Sequence, residues 1–379
     1  MLPLRYALRN LRRRPMRTGL TLLGLGLIAF LVILMCGFAK GLDDSVSNSG
    51  RDDVAVVVGL SQETDLVRSF VPYGTAQQVA AAAPGVATIE GRRAASIEIH
   101  VATRVGDKIG LLRGVTDSAY VVHPAVVVTS GLEPRAPFEL MAGRLAAARM
   151  GLDDADLAVG RTIRLEGRDW KVSGRFCAPG TVLEAELWGR LEDVMQASRR
   201  IDVSAIALRL TAASQFPQVE LYASRNLALE IAAMRETYLF GAFRRVLAPV
   251  AALAWLMAAL VLVGGVFACS NTMFAAVLAR TREMGMLRAI GYGPTAVGVS
   301  LLEESLCLGA VGGLAGFLIA SAVGEVPLRF PAGAFFLDVG SGVRFLGLFA
   351  ALGAGLVGGL VPAWRAIRLT LTDALGGKI

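Results

Sequence analysis

Four long apolar runs constrain this sequence more than any other feature. They lie at residues 19–39, 246–269, 297–323 and 345–363. A helix of about 20 residues, rising 1.5 Å per residue, spans the roughly 30 Å hydrocarbon core of a bilayer. The hydrophobic content of 54% also exceeds the roughly 45–50% that is usual for a soluble domain. We therefore predict a membrane protein with four spans.

A long polar segment, residues 41–243, separates the first apolar run from the second. It is long enough to bury a core of its own. Because stretches that alternate between apolar and polar residues are mixed with helical patterns, we predict an α+β domain. Residues 214–245 contain only one Pro and one Gly, so we predict a long helix there that runs into the second span.

The distribution of charge orients these segments. Residues 1–18 carry six Arg and no acid, 276–298 and 364–379 each have a net charge of +2, and 41–243 has 21 basic and 25 acidic residues. Loops rich in Arg and Lys lie on the cytoplasmic side. Both termini and the 276–298 loop are therefore predicted to be cytoplasmic, and the large domain extracytoplasmic. Because the net charge of +7 reflects this topology, we predict no nucleic-acid partner.

The predicted fold class is an α-helical membrane protein with four transmembrane helices and an α+β extracytoplasmic domain inserted between spans 1 and 2. Nine segments follow in order along the chain. They are an amphipathic cytoplasmic helix (1–18), the first span (19–40), the extracytoplasmic domain (41–243), the second span (244–271), a cytoplasmic coupling segment (272–294), the third span (295–323), a short extracytoplasmic loop (324–344), the fourth span (345–363) and a cytoplasmic tail (364–379).

Metal-binding patterns are absent from the sequence. The two histidines, His100 and His123, have no second ligand at helical spacing, and we expect ordinary packing for them. The acidic residues at 153, 154 and 156 lack the spacing and the Gly of a calcium loop, which favours a solvated loop. Cys177 is the only cysteine of the large domain, so no disulfide within it is possible. We predict no metal and no cofactor in this chain.

Patterns of catalytic residues are absent as well. The sequence contains no GxSxG nucleophile motif and no GxxxxGK[ST] phosphate loop. We therefore predict that the chain is not an enzyme. If ATP powers it, ATP and Mg²⁺ bind to a partner chain.

A short basic helix is predicted between the second and third runs. Met284, Leu287 and Ile290 follow one another at intervals of three and share a face. Gly291 is suited to end this helix and Pro294 to begin the next one. The helix would lie on the membrane surface with its apolar face available to another protein. The alternative is an interfacial helix without a partner.

The third and fourth runs contain small residues at intervals of four, including Gly309 with Gly313 and Gly347 with Ala351. Such faces let helices approach closely in lipid, either within one subunit or at a dimer seam. Glu303 and Glu304 lie early in the third run. An intramembrane carboxylate is often functional, although both side chains could simply reach the interface.

Several of these motifs resemble the MacB/FtsX-type family of ABC transporter permeases. The segment R-E-x-G-x-x-R-A-I-G at 282–291, followed by Glu304, is similar to the family's coupling segment. Residues 7–24, Gly143-Arg144 and 186–188 also resemble parts of the family. So does the segment 161–176, which we predict to be a hairpin with Glu166 and Gly167 at its turn. The closing segment 362–375 does too, except that Thr370 and Leu371 replace the usual acid and Pro.

The resemblance implies a permease subunit that couples ATP hydrolysis by a separate cytosolic ABC ATPase to movement of its extracytoplasmic domain. The result would be export or extraction of a lipid, lipoprotein, peptide or small molecule. The alternative is a signalling permease that relays the state of the ATPase to an extracytoplasmic enzyme such as a cell-wall hydrolase. The resemblance to the family also marks ten residues for contact with the ATPase. They are Arg282, Glu283, Met284, Gly285, Met286, Leu287, Arg288, Ala289, Ile290 and Gly291.

The implied location is the bacterial inner membrane. The implied partners are the ATPase, a second permease copy or paralogue, a periplasmic adaptor and the lipid membrane itself.

Overall fold

The computed structural model describes residues 9, 11, 13, 15–60, 65–330 and 333–369. The chain divides into two compact units. The helical unit comprises Met1–Lys40, Val250–Val326 and Leu337–Ile379, and the α/β unit comprises Gly41–Pro249 and Pro327–Phe336.

Four long apolar helices carry the predicted spans, and a short helix lies between the second and third. Each of the four is long and apolar enough to cross a membrane. They are α1 (Pro15–Ser47), α7 (Glu236–Leu278), α9 (Pro294–Ala322) and α10 (Ser341–Arg368), and the short helix is α8 (Thr281–Ala289).

The four long helices extend beyond most of the predicted boundaries. The first begins at Pro15 and ends at Ser47, so no break separates residues 15–18 from the predicted span at 19–40. The helix that carries the second span runs to Leu278, past the predicted limit of 271. Hydropathy marks only the apolar part of a helix, whereas polar turns at either end are hydrogen-bonded in the same way. Most of the predicted helix at 1–18, together with Thr370 and Leu371 in the tail, lies outside the described residues.

Glycine faces pack the helical unit internally. A Cβ on Gly316 would lie 2.6 Å from Cβ of Ala29 on α1, and one on Gly309 would lie 2.8 Å from the carbonyl oxygen of Ala351 on α10. A Cβ on Gly347 would lie 2.3 Å from the Ile33 side chain. The close approach that small residues permit is therefore used between helices of one chain. Of the two predicted uses of these faces, the structure shows internal packing.

The α/β unit is built on a ten-stranded mixed sheet. Its strand order is β14-β1-β13-β5-β6-β11-β8-β10-β7, and β9 pairs with β10. The pairs β6/β11 and β8/β10 are parallel, and the others are antiparallel. The strands of the sheet are β1 (Val54–Gly59), β5 (Ala95–Val105), β6 (Lys108–Val115), β7 (Val127–Gly131), β8 (Glu139–Gly143), β9 (Thr162–Leu165), β10 (Arg168–Cys177), β11 (Leu187–Arg190), β13 (Ala205–Arg209) and β14 (Ile231–Arg235).

Helices and short strands complete this unit. The apolar core of the unit is centred on buried Trp170, Leu140 and Ile99. The remaining helices are α2 (Tyr73–Ala82), α3 (Ala119–Val122), α4 (Ala146–Met150), α5 (Leu191–Ser198) and α6 (Phe216–Arg225), and the short strands are β2 (Val71–Pro72), β3 (Thr88–Ile89), β4 (Arg92–Arg93), β12 (Asp202–Val203), β15 (Pro327–Phe330) and β16 (Gly333–Phe336). The last two form a hairpin in the segment that was predicted to be a loop at 324–344.

The region at 161–176 forms a hairpin, as its sequence predicts. Strands β9 and β10 pair antiparallel through Leu165 and Arg168. Glu166 and Gly167 form the turn with φ of 50° and 74°. Two consecutive residues with positive φ match the tight turn that fits the twist of a hairpin.

The predicted long helix at 214–245 is wrong as one continuous element, although its end, from Glu236 onward, does run into the second span as part of α7. Helix α6 ends at Arg225, and β14 follows and pairs with β1 before α7 begins at Glu236. Glu230 has a φ of 50°, so the backbone leaves the helical region there. The residues of β14 are compatible with a helix, but pairing with an exposed sheet edge overrides this weak local preference.

Candidate functional site

Helix α8 is the candidate coupling helix, and its ends are where the sequence places them. The chain leaves the helix after Ala289, with Gly291 at a φ of 108° that glycine adopts without steric cost. Gly293 caps the next helix, and Pro294 occupies its first turn. The helix is therefore a separate nine-residue element between two long ones.

A buried ion pair holds the beginning of this helix. Arg280 Nη1 lies 2.8 Å from Glu304 Oε2, and Arg280 Nη2 lies 3.0 Å from Glu304 Oε1. The two residues are 8% and 4% exposed. A bidentate pair fixes both the distance and the orientation of its partners. The pair therefore ties the start of α8 to Glu304, about three turns into α9.

The other end of the coupling helix is held by Arg288. Its guanidinium donates a hydrogen bond to the carbonyl oxygen of Leu369, just after α10. Carbonyls at a helix C-terminus lack partners within the helix, and a cation stabilises them. The two arginines of this stretch thus connect α8 to two different long helices.

The face that α8 buries differs from the predicted apolar ridge. Met284 is 7% exposed and packs in the core of the helical unit with Val297, Leu301 and Ala363. Leu287 is half-buried, whereas Ile290 is 77% exposed. The predicted ridge of Met284, Leu287 and Ile290 is therefore not a single accessible surface.

The exposed face of α8 is offset around the helix from the predicted ridge. Arg282 and Ala289 are exposed, as is Met286 at 52%, and Ile290 follows. We call Arg282, Met286, Ala289 and Ile290 the open face. Of the remaining predicted contact residues, Gly285 is buried, Glu283 and Arg288 are half-buried and Gly291 is exposed.

The two glutamates of the third span have different environments. Glu304 is paired with Arg280. Glu303 is half-buried, and its Oε2 has no hydrogen-bond partner among the described residues. Because Arg280 lies before the motif and 24 positions from Glu304, sequence spacing does not reveal their pairing.

A second group of charges lies in the core of the α/β unit and was missed at the sequence level. Arg113 donates from Nε and Nη2 to the two oxygens of Glu186 at 2.8 and 2.9 Å, and from Nη1 to Glu98 at 2.9 Å. Nε2 of His123 lies 2.9 Å from the other oxygen of Glu98. His123 Nδ1 lies 3.7 Å from Glu236, the first residue of α7. We call these five residues the buried charge cluster.

Burial and pairing shift the pKa values in this cluster. Burial opposes the charge on Glu98, but His123 and Arg113 outweigh it and hold the pKa of Glu98 well below its usual range. Burial likewise opposes protonation of His123, but Glu98 outweighs it and raises the pKa of His123 above its ordinary value of 6.5. Only the alternation of β5 and β6 could have placed Glu98 and Arg113 on one face of the sheet.

The three acidic residues at 153, 154 and 156 make local contacts with the protein. Asp153 and Asp156 form a reciprocal capping box at a short 3₁₀ turn, and Asp154 pairs with Arg175 at 2.6 Å. Within the ranges the structure describes, no group of three His, Cys, Asp or Glu is placed to hold a metal ion.

Comparisons with known proteins address both units. The family model of the MacB-like periplasmic core domain matches residues 18–222, and that of the FtsX-like permease C-terminal matches residues 255–371.

Curated relatives match parts of the chain. It is 30% identical over 250 residues to the macrolide export ATP-binding/permease protein MacB of Hyphomonas neptunium, covering 60% of this chain and 36% of that protein. It is 39% identical over 116 residues to the pyoverdine export ATP-binding/permease protein PvdT of Pseudomonas syringae pv. tomato, covering 30% and 17%. The matches thus span about a third or less of these relatives.

Among solved structures, the periplasmic region of MacB from Actinobacillus actinomycetemcomitans aligns with a TM-score of 0.37 at 10% identity. This alignment covers 51% of this chain and 92% of that one. Similarity at this level adds no argument about the fold.

Proposed function

The chain belongs to the family of MacB/FtsX-type ABC transporter permeases, and on that premise we propose that it is the transmembrane permease subunit of an ABC transporter complex. A separate cytosolic ABC ATPase binds ATP and Mg²⁺ and hydrolyses ATP. The permease converts this hydrolysis into movement of its α/β unit on the other side of the membrane. The movement exports or extracts a substrate, which is a lipid, lipoprotein, peptide or small molecule.

The construction of the coupling helix carries this proposal. One side of α8 is fastened to α9 through Arg280 and Glu304, and to the end of α10 through Arg288. The other side, the open face, is available to a partner. A protein that displaces α8 would therefore move two long helices with it. An interfacial helix without a partner would not require anchors at both ends.

The distribution of charge supports the proposed orientation. The net-positive segments around α8 and at the termini face the cytoplasm, and the α/β unit, with four more acidic than basic residues at 41–243, faces outward. The proposed location is the bacterial inner membrane.

A second permease copy is part of the proposal. In the most apolar 18-residue stretch of α7, only 11% is buried within the chain, compared with 39–44% for the same stretch of the other long helices. This helix therefore has the largest surface left for lipid or for another permease. A periplasmic adaptor is a further partner that we propose from family membership alone.

The test of the proposal uses the open face. Met286→Asp places a charge where an ATPase groove would have to desolvate it, at a cost of about 2–4 kcal/mol at a well-packed contact. Affinity for the ATPase should therefore fall by roughly one to three decades. The measurement is co-purification of the ATPase with the permease, at matched membrane levels of each variant.

Met286→Leu is the matched control, since it keeps an apolar side chain at the same exposed position. It should retain the ATPase and its stimulated turnover. Wild-type association of Met286→Asp would contradict a coupling role for α8. If the complex forms and hydrolyses ATP but moves no candidate substrate in vesicles, the permease instead relays the state of the ATPase to an extracytoplasmic enzyme.

A further inference from the structure

A cavity of about 430 Å³ lies in the α/β unit. Part of its lining is a single face of the β5–β6 hairpin. The register of this hairpin pairs His100 with Arg113 and Ala102 with Leu111, and all four residues line the cavity. The first turns of α7 also line it.

Much of the cavity lining is apolar. It includes Ala102 and Ile109, which are exposed, and Leu111, which is half-buried. Aliphatic and aromatic side chains of α7 add to it, namely Leu239, Phe240 and Phe243. These residues offer an apolar contact surface to a ligand.

The lining also contains polar side chains with unused hydrogen-bonding groups. His100 is 1% exposed, and neither of its ring nitrogens has a partner among the described residues. Nη1 of Arg149 is also buried without a described partner. Buried polar groups are nearly always hydrogen-bonded in folded proteins, and leaving one unpaired is costly. Two such groups in the lining of one cavity therefore indicate a place for a ligand atom.

The charges in the lining define what the ligand must bring. Arg113 and Glu186 also line the cavity, but they bind each other through two hydrogen bonds. Asp65 lines the cavity and pairs with exposed Arg68 at 3.4 Å. Arg149 feels the charge of Glu186 but has no ion-pair partner among the described residues, so it is the cation to which a ligand anion can bind. Burial and the charge of Arg113 lower the pKa of His100 well below its ordinary value, so the ring is neutral and offers one N–H donor.

We propose that this cavity binds a single-chain amphiphile, with its oxyanion head group on Arg149 and His100 and its alkyl chain between the β5–β6 hairpin and α7. The shared chemistry is one carboxylate or phosphate on an apolar tail. This inference rests on the proposed transport function and assigns the substrate class of the α/β unit.

The size of the cavity is consistent with one chain. Ligand pockets usually measure about 300–1,000 Å³. If a methylene group occupies about as much space as a water molecule, roughly 30 Å³, then 430 Å³ holds about 14 carbons of one alkyl chain. The end of a slightly longer chain would extend past exposed Ala102 and Ile109. A lipid with two long chains would not fit inside.

The probe is a palmitic acid analogue that carries a photoreactive diazirine in mid-chain, added to the full chain in nanodiscs. Mass spectrometry should find the label on β5, β6 and the first turns of α7. Palmitate and hexadecyl phosphate should compete for the site. Hexadecanol, which has the tail without the charge, should compete at least tenfold less well, and inorganic phosphate, which has no tail, should not compete.

Two variants and one control sharpen the test. Arg149→Gln should lower the preference for palmitate over hexadecanol about tenfold or more, because it removes a charge-assisted hydrogen bond. Ala102→Trp, at an exposed position, should block labelling of the cavity by filling its edge. Arg164→Gln, an exposed arginine on β9 that does not line the cavity, should label like the wild type.

Labelling confined to the long helices, or equal competition by palmitate and hexadecanol, would overturn the proposal. The same preparations separate this outcome from failure of the proposed function. If Met286→Asp uncouples the ATPase while the cavity stays unlabelled, only the cavity proposal fails. If the cavity is labelled while Met286→Asp remains coupled, only the coupling proposal fails.

Discussion

Arg280 and Glu304 form a bidentate ion pair in which both side chains are almost completely buried, with nitrogen–oxygen distances of 2.8 and 3.0 Å. The arginine precedes α8, and the glutamate lies on α9. This pair is the most direct link between the candidate coupling helix and a predicted membrane span.

Breaking this pair should destabilise the protein. Glu304→Gln leaves the Arg280 charge buried without its counter-ion, and a loss of about 3–5 kcal/mol is typical of such changes. The double variant Arg280→Met with Glu304→Leu should recover part of this loss, because no charge remains buried. Thermal unfolding of the purified protein measures both effects. Additive losses in the double variant would contradict the pairing.

Truncating Met284 should destabilise the protein much more than truncating Met286. Met284→Ala opens a cavity among Val297, Leu301 and Ala363 and should cost about 2–5 kcal/mol. Met286→Ala removes an exposed side chain and should change stability by less than about 0.5 kcal/mol. Unfolding curves of the two variants in the same detergent test this. Equal losses would mean that α8 does not bury the face described above.

The close contact of Gly316 with α1 predicts that no larger side chain fits at this position. Gly316→Val should push α1 and α9 apart, because the added Cβ alone would lie 2.6 Å from both Ala29 Cβ and the Gly26 carbonyl oxygen. Gly353→Val is the matched control, since no atom lies within 4 Å of its added Cβ. We expect Gly316→Val to lower the melting temperature strongly and Gly353→Val to leave it nearly unchanged. The opposite order would refute this helix packing.

The buried charge cluster predicts a pH dependence of stability. The folded-state pKa of His123 is raised above its unfolded value, so its contribution is fully present below about pH 6.5 and is lost as pH rises through the folded pKa. His123→Gln should therefore cost more stability at pH 6 than at pH 9. Denaturant titrations followed by tryptophan fluorescence provide the measurement.

His100 should make the stability of the same unit depend on pH in the opposite direction. Its folded-state pKa is lowered, so the folded protein resists protonation, and stability falls as pH drops below about 6.5. His100→Gln should relieve this loss at pH 5 and change little at pH 8. If both histidine variants shift stability in the same direction with pH, the assignment of the two environments is wrong.

The topology can be tested by labelling single cysteines in a variant that lacks the four native ones. Arg164→Cys, at an exposed position of the α/β unit, should react with an impermeant maleimide from outside the inner membrane. Ile290→Cys, which is 77% exposed after α8, should react only after the membrane is opened. The reverse pattern would invert the proposed orientation.

Local sequence patterns were reliable where short-range physics decides the structure. Gly291 ends α8 and Pro294 opens α9, because these residues restrict the backbone wherever they occur. The turn at Glu166 and Gly167 followed in the same way from a local preference. The long helix predicted at 214–245 failed because β14 pairs with β1, a strand that lies far away in the sequence.

The sequence by itself determined that the chain has four apolar helices, a large polar insertion and a short basic helix between the second and third apolar helices, since hydropathy, charge and turn residues act locally. Only the tertiary structure decided that Met284 faces inward, that Glu304 is paired with Arg280 and that Arg113 joins Glu98 and Glu186. Each of these depends on which distant segments meet. A buried charge is stable only where an opposite charge lies next to it in the fold. The hydrophobic periodicity of one segment does not specify which distant residue supplies that opposite charge.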